Sequence, residues 1–206
     1  FTGGVALSSG TLRAGNDAAL GTGTLTFTGG QLSSDSTAAR SLSNAMVLSG
    51  ALSLGDANNT GALLLSGSAS LAAATTLTLA SAVTLSGSLS GAFDLTTAGA
   101  SELTLAGANT FSGTATIAAG TLTLAGGAAL ADTMEVHVGT AGLLKLAASE
   151  QIATLTGTGN VALQSNVLTL SGATDALFGG VLSGTGGLVK SGVAVVTLAG
   201  TNSFSG

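Results

Sequence analysis

The 206-residue chain contains no cysteine, proline, tryptophan or tyrosine, and its aromatic side chains are limited to six phenylalanines and one histidine. Without cysteine the chain has no disulfide framework and no thiolate site for metal binding or redox chemistry. The absence of cysteine is also compatible with a protein that is exported unfolded, because a premature disulfide would block its passage. The composition therefore removes several classes of site before any motif is considered.

Charge is equally scarce. Only 6% of the residues are charged, compared with about a quarter in an average soluble domain. The net charge is −5, and the four cationic residues, Arg13, Arg40, Lys145 and Lys190, are widely separated. A nucleic-acid-binding protein needs a basic patch, so this function is excluded. No stretch of about eighteen uninterrupted apolar residues predicts a membrane span, and the first residues lack the pattern of a signal peptide.

Short strands account for most of the sequence. Apolar and hydroxyl-bearing residues alternate over three to five positions, the pattern of a strand with one buried face. Gly, Asn, Asp or Ser follows almost every such segment, which indicates turns. The best helical candidate, Ala129–Val138, ends in a strand-like alternation. Clear examples of the strand pattern are Thr24–Gly30, Leu77–Ser81, Val83–Gly87, Leu103–Gly107, Thr121–Gly127 and Val167–Gly172.

Repetition distinguishes a solenoid from a sandwich or a barrel. The phrase TLAGANTFSG at Thr104–Gly113 returns as TLAGTNSFSG at Thr197–Gly206, and Phe1–Leu12 aligns without gaps on Phe111–Leu122. Three steps of six residues would close an 18-residue rung of a triangular coil. We therefore predict an all-β, parallel β-helix of about ten rungs, each of roughly twenty residues. The six-residue step is carried by Leu65, Leu71, Leu77, Val83, Leu89 and Leu95.

These phrases resemble the passenger-associated transport repeat of bacterial autotransporter proteins. Gly186–Gly206 is similar to the front of that motif, Glu102–Leu130 to its central and later parts, and Phe1–Leu32 to its second half. The resemblance implies a right-handed β-helix that is exported through the outer membrane of a Gram-negative bacterium. A left-handed hexapeptide β-helix, the fold of many acyltransferases, is the alternative raised by the six-residue step.

The residues singled out as structural repeat positions belong to this motif. Two asparagines are expected at turns, where their amides bond the backbone or stack on neighbouring asparagines. Three phenylalanines are expected to enter the core after those turns and to set the register, and two glycines complete the phrase. These positions are Phe1, Asn109, Phe111, Gly113, Asn202, Phe204 and Gly206.

No catalytic, cofactor-binding or metal-binding residue is predicted. His137 is the only histidine, and alternation places it with Glu135 on an outward strand face. The aspartates at positions 17, 35, 56, 94, 132 and 175 recur at one or two rungs, which suits exposed turns. A carbohydrate-active lyase or hydrolase remains an alternative and would depend on Asp94 or Asp132. A hexapeptide acyltransferase is a further alternative.

The function expected from the resemblance is that of a stalk or fibre segment of a secreted, surface-displayed adhesin-like protein that supports adhesion, cell–cell contact or biofilm formation. Residues 1–206 are expected to form a single β-helix segment of a longer repetitive protein. Expected partners are neighbouring β-helix repeats of the same or identical chains, and a host or bacterial surface. Neither an enzymatic activity nor a cofactor is expected.

Overall fold

The computed structural model describes residues 1–206 and contains strands but no helix. All assigned strand pairs are parallel, and the chain winds as a β-solenoid of about ten turns. The strands are β1 Val5–Leu7, β2 Thr11–Ala14, β3 Leu25–Phe27, β4 Gly30–Ser34, β5 Arg40–Leu42, β6 Met46–Leu54, β7 Leu63–Leu65, β8 Ala69–Leu79, β9 Val83–Leu85, β10 Leu89–Ser90, β11 Leu95–Gly99, β12 Glu102–Leu105, β13 Ala115–Leu124, β14 Glu135–Leu146, β15 Glu150–Ile152, β16 Thr154–Gly157, β17 Asn160–Gln164, β18 Leu168–Leu170, β19 Ala176–Phe178, β20 Leu182–Gly184, β21 Leu188–Lys190 and β22 Val196–Leu198.

Register divides these strands into three stacks that run along the coil. Stack 1 contains β1, β3, β10, β15, β18 and β21, with the first parts of β6 and β8. Stack 2 contains β2, β4, β11, β16, β19 and β22, with the second parts of β6 and β8 and the first parts of β13 and β14. Stack 3 contains β5, β7, β9, β12, β17 and β20, with the second parts of β13 and β14. The predicted parallel solenoid is confirmed, and its handedness stays a prediction.

Alternation along each strand creates the core. In β9, Val83 and Leu85 are buried while Thr84 between them is partly exposed, because successive side chains of a strand point to opposite faces. The inward side chains of successive rungs stack on one another, and 43 buried apolar residues form one continuous cluster. The narrow interior is thus filled mainly by Leu, Val, Ala and Phe.

The hydrogen-bond ladder continues around the corners. Of the 114 backbone–backbone hydrogen bonds, 62 lie within strands and the other 52 lie in turns and loops. Ser66, for example, follows β7 and still donates its N–H to Leu42 in the preceding rung, at 2.9 Å. A buried peptide group without a partner is costly, so these corner bonds are as necessary as those of the strands.

The 18-residue rung predicted from the six-residue step is wrong for that part of the chain. Leu65 lies beside Leu85, and Leu63 beside Val83, so the rung has 20 residues there. All six residues that carry the step are nevertheless buried. The reason is the two-residue period of a strand: a drift of two positions per rung leaves a side chain pointing inward. Elsewhere the offset reaches 25 residues, from Leu52 to Leu77.

The repeated phrase does not occupy one angular position. In the copy at 104–113 the Thr-Leu strand is β12 in stack 3, and the asparagine follows at stack 1. In the copy at 197–206 the same strand is β22 in stack 2, and the asparagine follows at stack 3. The phrase therefore specifies a strand, a corner and the next strand, and not a whole rung.

The buried Phe111 side chain provides a test of the core. Its exposure is 0%, whereas Phe93 is 43% exposed. We expect Phe111→Ala to lower the free energy of unfolding by about 3–5 kcal/mol, because the substitution leaves a cavity. The control, Phe93→Ala, should cost less than about 1 kcal/mol. Urea unfolding measures both values, and a loss below about 1 kcal/mol for Phe111→Ala would contradict the assignment.

Candidate functional site

Asn109 bridges three successive rungs. Its Oδ1 accepts the N–H of Leu89 in the preceding rung at 2.7 Å, and its Nδ2 donates to the carbonyl of Ala129 in the following rung at 2.6 Å. The side chain is almost fully buried. No strand forms at residues 109–111, so the amide takes over hydrogen bonds that a strand ladder would otherwise supply.

Phe111 and Gly113 lie just beyond this asparagine. The Phe111 ring is fully buried and belongs to the continuous apolar cluster. At Gly113 the chain passes so close to the preceding rung that a Cβ atom would lie 2.3 Å from the carbonyl carbon of Phe93. Only glycine fits at such a distance, since real Cβ contacts do not approach within 3.0 Å.

The second copy of the phrase repeats part of this geometry. The Oδ1 of Asn202 accepts the N–H of Leu182 at 2.8 Å, and Phe204 is partly buried against the core. At Gly206 a Cβ atom would lie 2.7 Å from the carbonyl oxygen of Thr185. The two asparagines therefore make the same bond to the preceding rung, although they lie in different stacks.

Phe1 does not enter the core, contrary to the expectation from its alignment with Phe111. Its side chain is 69% exposed and lies against Gly21 in the second rung. Within the described chain a rung packs on only one side of Phe1, whereas Phe111 is enclosed by rungs on both sides. Sequence equivalence thus fails to give equivalent burial.

Several aspartates also bond the backbone between rungs. Asp94 accepts the N–H of Thr114, and Asp175 accepts the N–H of Val195, both at 2.8 Å and both 20 residues further along the chain. Asp17 accepts the N–H of Ser41 at 2.9 Å. Their recurrence at rung intervals therefore reflects corners that need an acceptor.

Four charged residues of the first three rungs form two ion pairs that sequence reasoning missed. Arg13 Nη2 lies 3.0 Å from Asp56 Oδ2, while Arg40 Nη2 lies 2.6 Å from Asp35 Oδ1. Arg40 Nε also donates to the carbonyl of Ala14. Arg13 and Asp56 are 43 residues apart and meet only through the rung register, so no local motif indicates this pair, whereas Arg40 and Asp35 are 5 residues apart.

The aspartates of both ion pairs are stabilised in their ionised form. The N–H of Asn58, the Arg13 guanidinium and the N–H of Asn59 together lower the pKa of Asp56 from 3.8 to about 2. The hydrogen bond and charge of Arg40 lower the pKa of Asp35. Opposite charge and hydrogen bonding both favour a carboxylate, so both ion pairs have a structural role.

Three further polar residues, the buried Asn44 and Glu150 and the partly buried Asn166, were not foreseen. Asn44 and Asn166 each lie two residues before a stack 1 strand and donate Nδ2 to carbonyls of the preceding rung. Glu150, at 4% exposure, accepts N–H groups from Ala129 and Leu130. Asparagine after a strand was a usable turn signal, but nothing in the sequence marks Glu150 as buried.

His137 lies on the outward face of β14. Its side chain is exposed, and Nδ1 lies 3.1 Å from Thr156 Oγ1 in the next rung. No group of three or more His, Cys, Asp or Glu side chains is arranged to hold a metal ion. His137 thus belongs to a row of outward polar side chains that includes Thr116 and Thr156.

Two open hollows of about 400 and 550 Å³ lie at the first rungs. The larger one is lined by Phe1, Asp17 and five small residues, and the smaller one contains no ionisable side chain. Neither hollow brings carboxylates together. No helix of this chain has the length and apolar character needed to cross a membrane.

A comparison with protein-family models matches the passenger-associated-transport-repeat at residues 95–124 and 188–206. The first match runs from β11 to β13 and includes the Asn109 bridge, and the second runs from β21 to the end of the phrase at Gly206. No curated protein and no solved structure shows significant similarity to the chain. The matches therefore fall on the segments that contain the two bridging asparagines.

The Asn109 bridge is tested by its removal. Asn109→Ala leaves the N–H of Leu89 and the carbonyl of Ala129 without their partner, so we expect the free energy of unfolding to fall by about 1–3 kcal/mol. Asn160 is exposed, so Asn160→Ala is the matched control. Equal unfolding energies for the two variants would contradict a bridging role.

The Arg13–Asp56 pair predicts a loss of stability in strong acid. Because the folded pKa of Asp56 is about 2 and its ordinary value is 3.8, the stabilisation is present above pH 3.8 and is lost as the pH falls through about 2. The midpoint of urea unfolding, measured between pH 5 and pH 2, should fall less steeply for Asp56→Asn than for the wild type. Exposed Glu135→Gln is the control. If the urea midpoint of Asp56→Asn falls with pH as steeply as that of the wild type, the assignment is refuted.

Proposed function

Because the chain carries passenger-associated transport repeats within a β-solenoid, we propose that it is a structural stalk segment of a secreted, surface-displayed bacterial protein of the autotransporter type. The repeat matches at 95–124 and 188–206 carry this proposal. The coil is taken to be right-handed, as in that family. Its role is to extend a surface-displayed protein and thereby to support adhesion, cell–cell contact or biofilm formation.

The polar side chains of the corners support a structural role. The side chains of Asn44, Asn109, Asn166 and Asn202 bond the backbone of the preceding rung. Asp94 and Asp175 likewise bond the backbone of the following rung, so several of the few charged side chains hold the coil. We therefore propose that this segment is not an enzyme.

The residues that a carbohydrate-active enzyme would use do not favour that second function. Asp94 accepts the N–H of Thr114 at the entrance to stack 2, two rungs before Asp132 is reached. The carbonyl of Asp132 accepts the hydroxyl of Ser171 at 3.3 Å. A general acid and base must approach the same substrate atom, and no observation places these two carboxylates around one cleft.

The proposed partners follow from the same architecture. A rung presents a full set of strand edges to the rung beside it, so neighbouring β-helix repeats, of the same chain or of an identical chain, are the natural partners of this segment. The proposed location is the bacterial cell surface, reached by export through the outer membrane. Contact with a host or bacterial surface would occur along the outer faces of the coil.

Deletion of one rung tests the stalk proposal. Removing residues 64–83 joins Leu63 to Thr84, and because Leu63 lies beside Val83, every later strand should drop by one rung and keep its stack. We expect this variant to be displayed on the cell surface as the wild type is. Antibody labelling of intact cells that produce the full-length protein measures the display.

Removal of residues 64–73 is the matched control. This deletion removes strand residues from stacks 3 and 1 but leaves the stack 2 part of β8, so the neighbouring rungs cannot stack and labelling should be lost. If the wild-type protein is labelled only after the cells are made permeable, the proposed location is overturned. Loss of labelling in the one-rung variant would overturn the proposal that the rungs act as interchangeable spacers.

A further inference from the structure

Stack 1 is interrupted in the middle of the coil. β10 ends at Ser90 and the next strand of this stack, β15, begins at Glu150, so two intervening rungs have no strand at residues 109–111 and 129–131. Beyond the interruption, β15, β18 and β21 form a separate three-stranded sheet, while the other nineteen strands form one sheet. We call these two strandless segments of stack 1 the seam.

Side chains bridge the seam where the backbone ladder does not. Asn109 Nδ2 donates to the carbonyl of Ala129, and Glu150 Oε2 accepts the N–H of Ala129 at 3.2 Å. Glu150 Oε1 also accepts the N–H of Leu130 at 2.9 Å. A continuous series of hydrogen bonds therefore runs from Leu89 through Asn109 and Ala129 to Glu150 and joins the two sheets.

The bridge at Glu150 differs chemically from the one at Asn109. An amide is neutral at every pH, whereas a carboxyl group ionises, and Glu150 is only 4% exposed. None of the three ion pairs in the chain includes Glu150. A buried carboxylate without a cation is penalised by the loss of its hydration, and two neutral N–H donors offset only part of that penalty.

The charged groups around Glu150 add no compensation. The seam segment at 129–131 is followed by Asp132, which is close enough to disfavour a second negative charge. On β14, Glu135 and His137 are exposed on the outward face, while Lys145 pairs with a carboxylate of β12. β18, on the other side, has no ionisable residue. Burial, together with Asp132, raises the pKa of Glu150 above its ordinary value of 4.5 despite the opposing N–H bonds from Leu130 and Ala129.

We propose that Glu150 makes the seam pH-sensitive, so that the folded seam between the two sheets is more stable against opening in acid than at neutral pH. The folded seam binds a proton more readily than the unfolded chain does. The stability gained from this proton binding is therefore fully present below pH 4.5. It is lost as the pH rises through the pKa of Glu150 in the folded state. This sign is opposite to that of the Arg13–Asp56 pair, which weakens in acid.

Hydrogen exchange at the amides of Ala129 and Leu130, which are the donors to Glu150, tests the proposal. Protection factors are measured by NMR on the 206-residue chain at pH 4 and pH 7, after correction for the intrinsic exchange rates. We expect greater protection at pH 4, by about tenfold for each unit by which the folded pKa exceeds the ordinary one. Protection that is equal or greater at pH 7 would overturn the proposal.

Two variants assign the effect to Glu150. In Glu150→Gln the side chain cannot ionise, so protection should be the same at both pH values, and a surviving pH dependence would refute the proposal. Asp132→Asn leaves Glu150 in place and remains informative if the first variant does not fold. It removes the neighbouring charge, so the midpoint at which protection falls should move to lower pH, and an unchanged midpoint would also overturn the assignment. Exposed Glu135→Gln is the control, with a wild-type midpoint expected.

Discussion

Hydrogen bonding between successive rungs is the constraint from which the other features of this chain follow. Each peptide group must find its hydrogen-bond partner in a neighbouring rung, and neighbouring rungs lie about 4.8 Å apart. The 52 backbone bonds outside the strands show that this requirement extends to the corners. Proline cannot satisfy this requirement, because it lacks the backbone N–H. The absence of proline is therefore a consequence of the ladder.

The corners explain where the few polar side chains lie. Asparagine both donates and accepts, and so Asn109 connects to rungs on both sides. An ionised aspartate or glutamate can accept hydrogen bonds but cannot donate them. Asp94, Asp175 and Glu150 each accept hydrogen bonds from backbone N–H groups. These few polar side chains thus hold successive rungs together at the corners.

Strand positions, the parallel solenoid and the approximate number of rungs were all predictable, because period-two alternation and turn residues are local signals. The register between successive rungs was not predictable from the sequence. A shift of two residues leaves Leu65 and Val83 pointing inward, so the six-residue step carries no information about which residues become neighbours. Phe1 shows the same limitation, since its burial depends on rungs that pack against it. Glu150 and the Arg13–Asp56 pair depend on contacts across rungs, and such contacts leave no local pattern in the sequence.

The displacement of the repeated phrase by one stack determines how the outside of the rod presents it. β12 and β22 face different sides of the coil, and the aligned segments Val5–Leu7 and Ala115–Ile117 do so as well. A molecule that recognised one copy of the phrase from one direction would not meet the next copy along the same line. Multivalent recognition of the phrase would therefore require a partner that wraps around the axis.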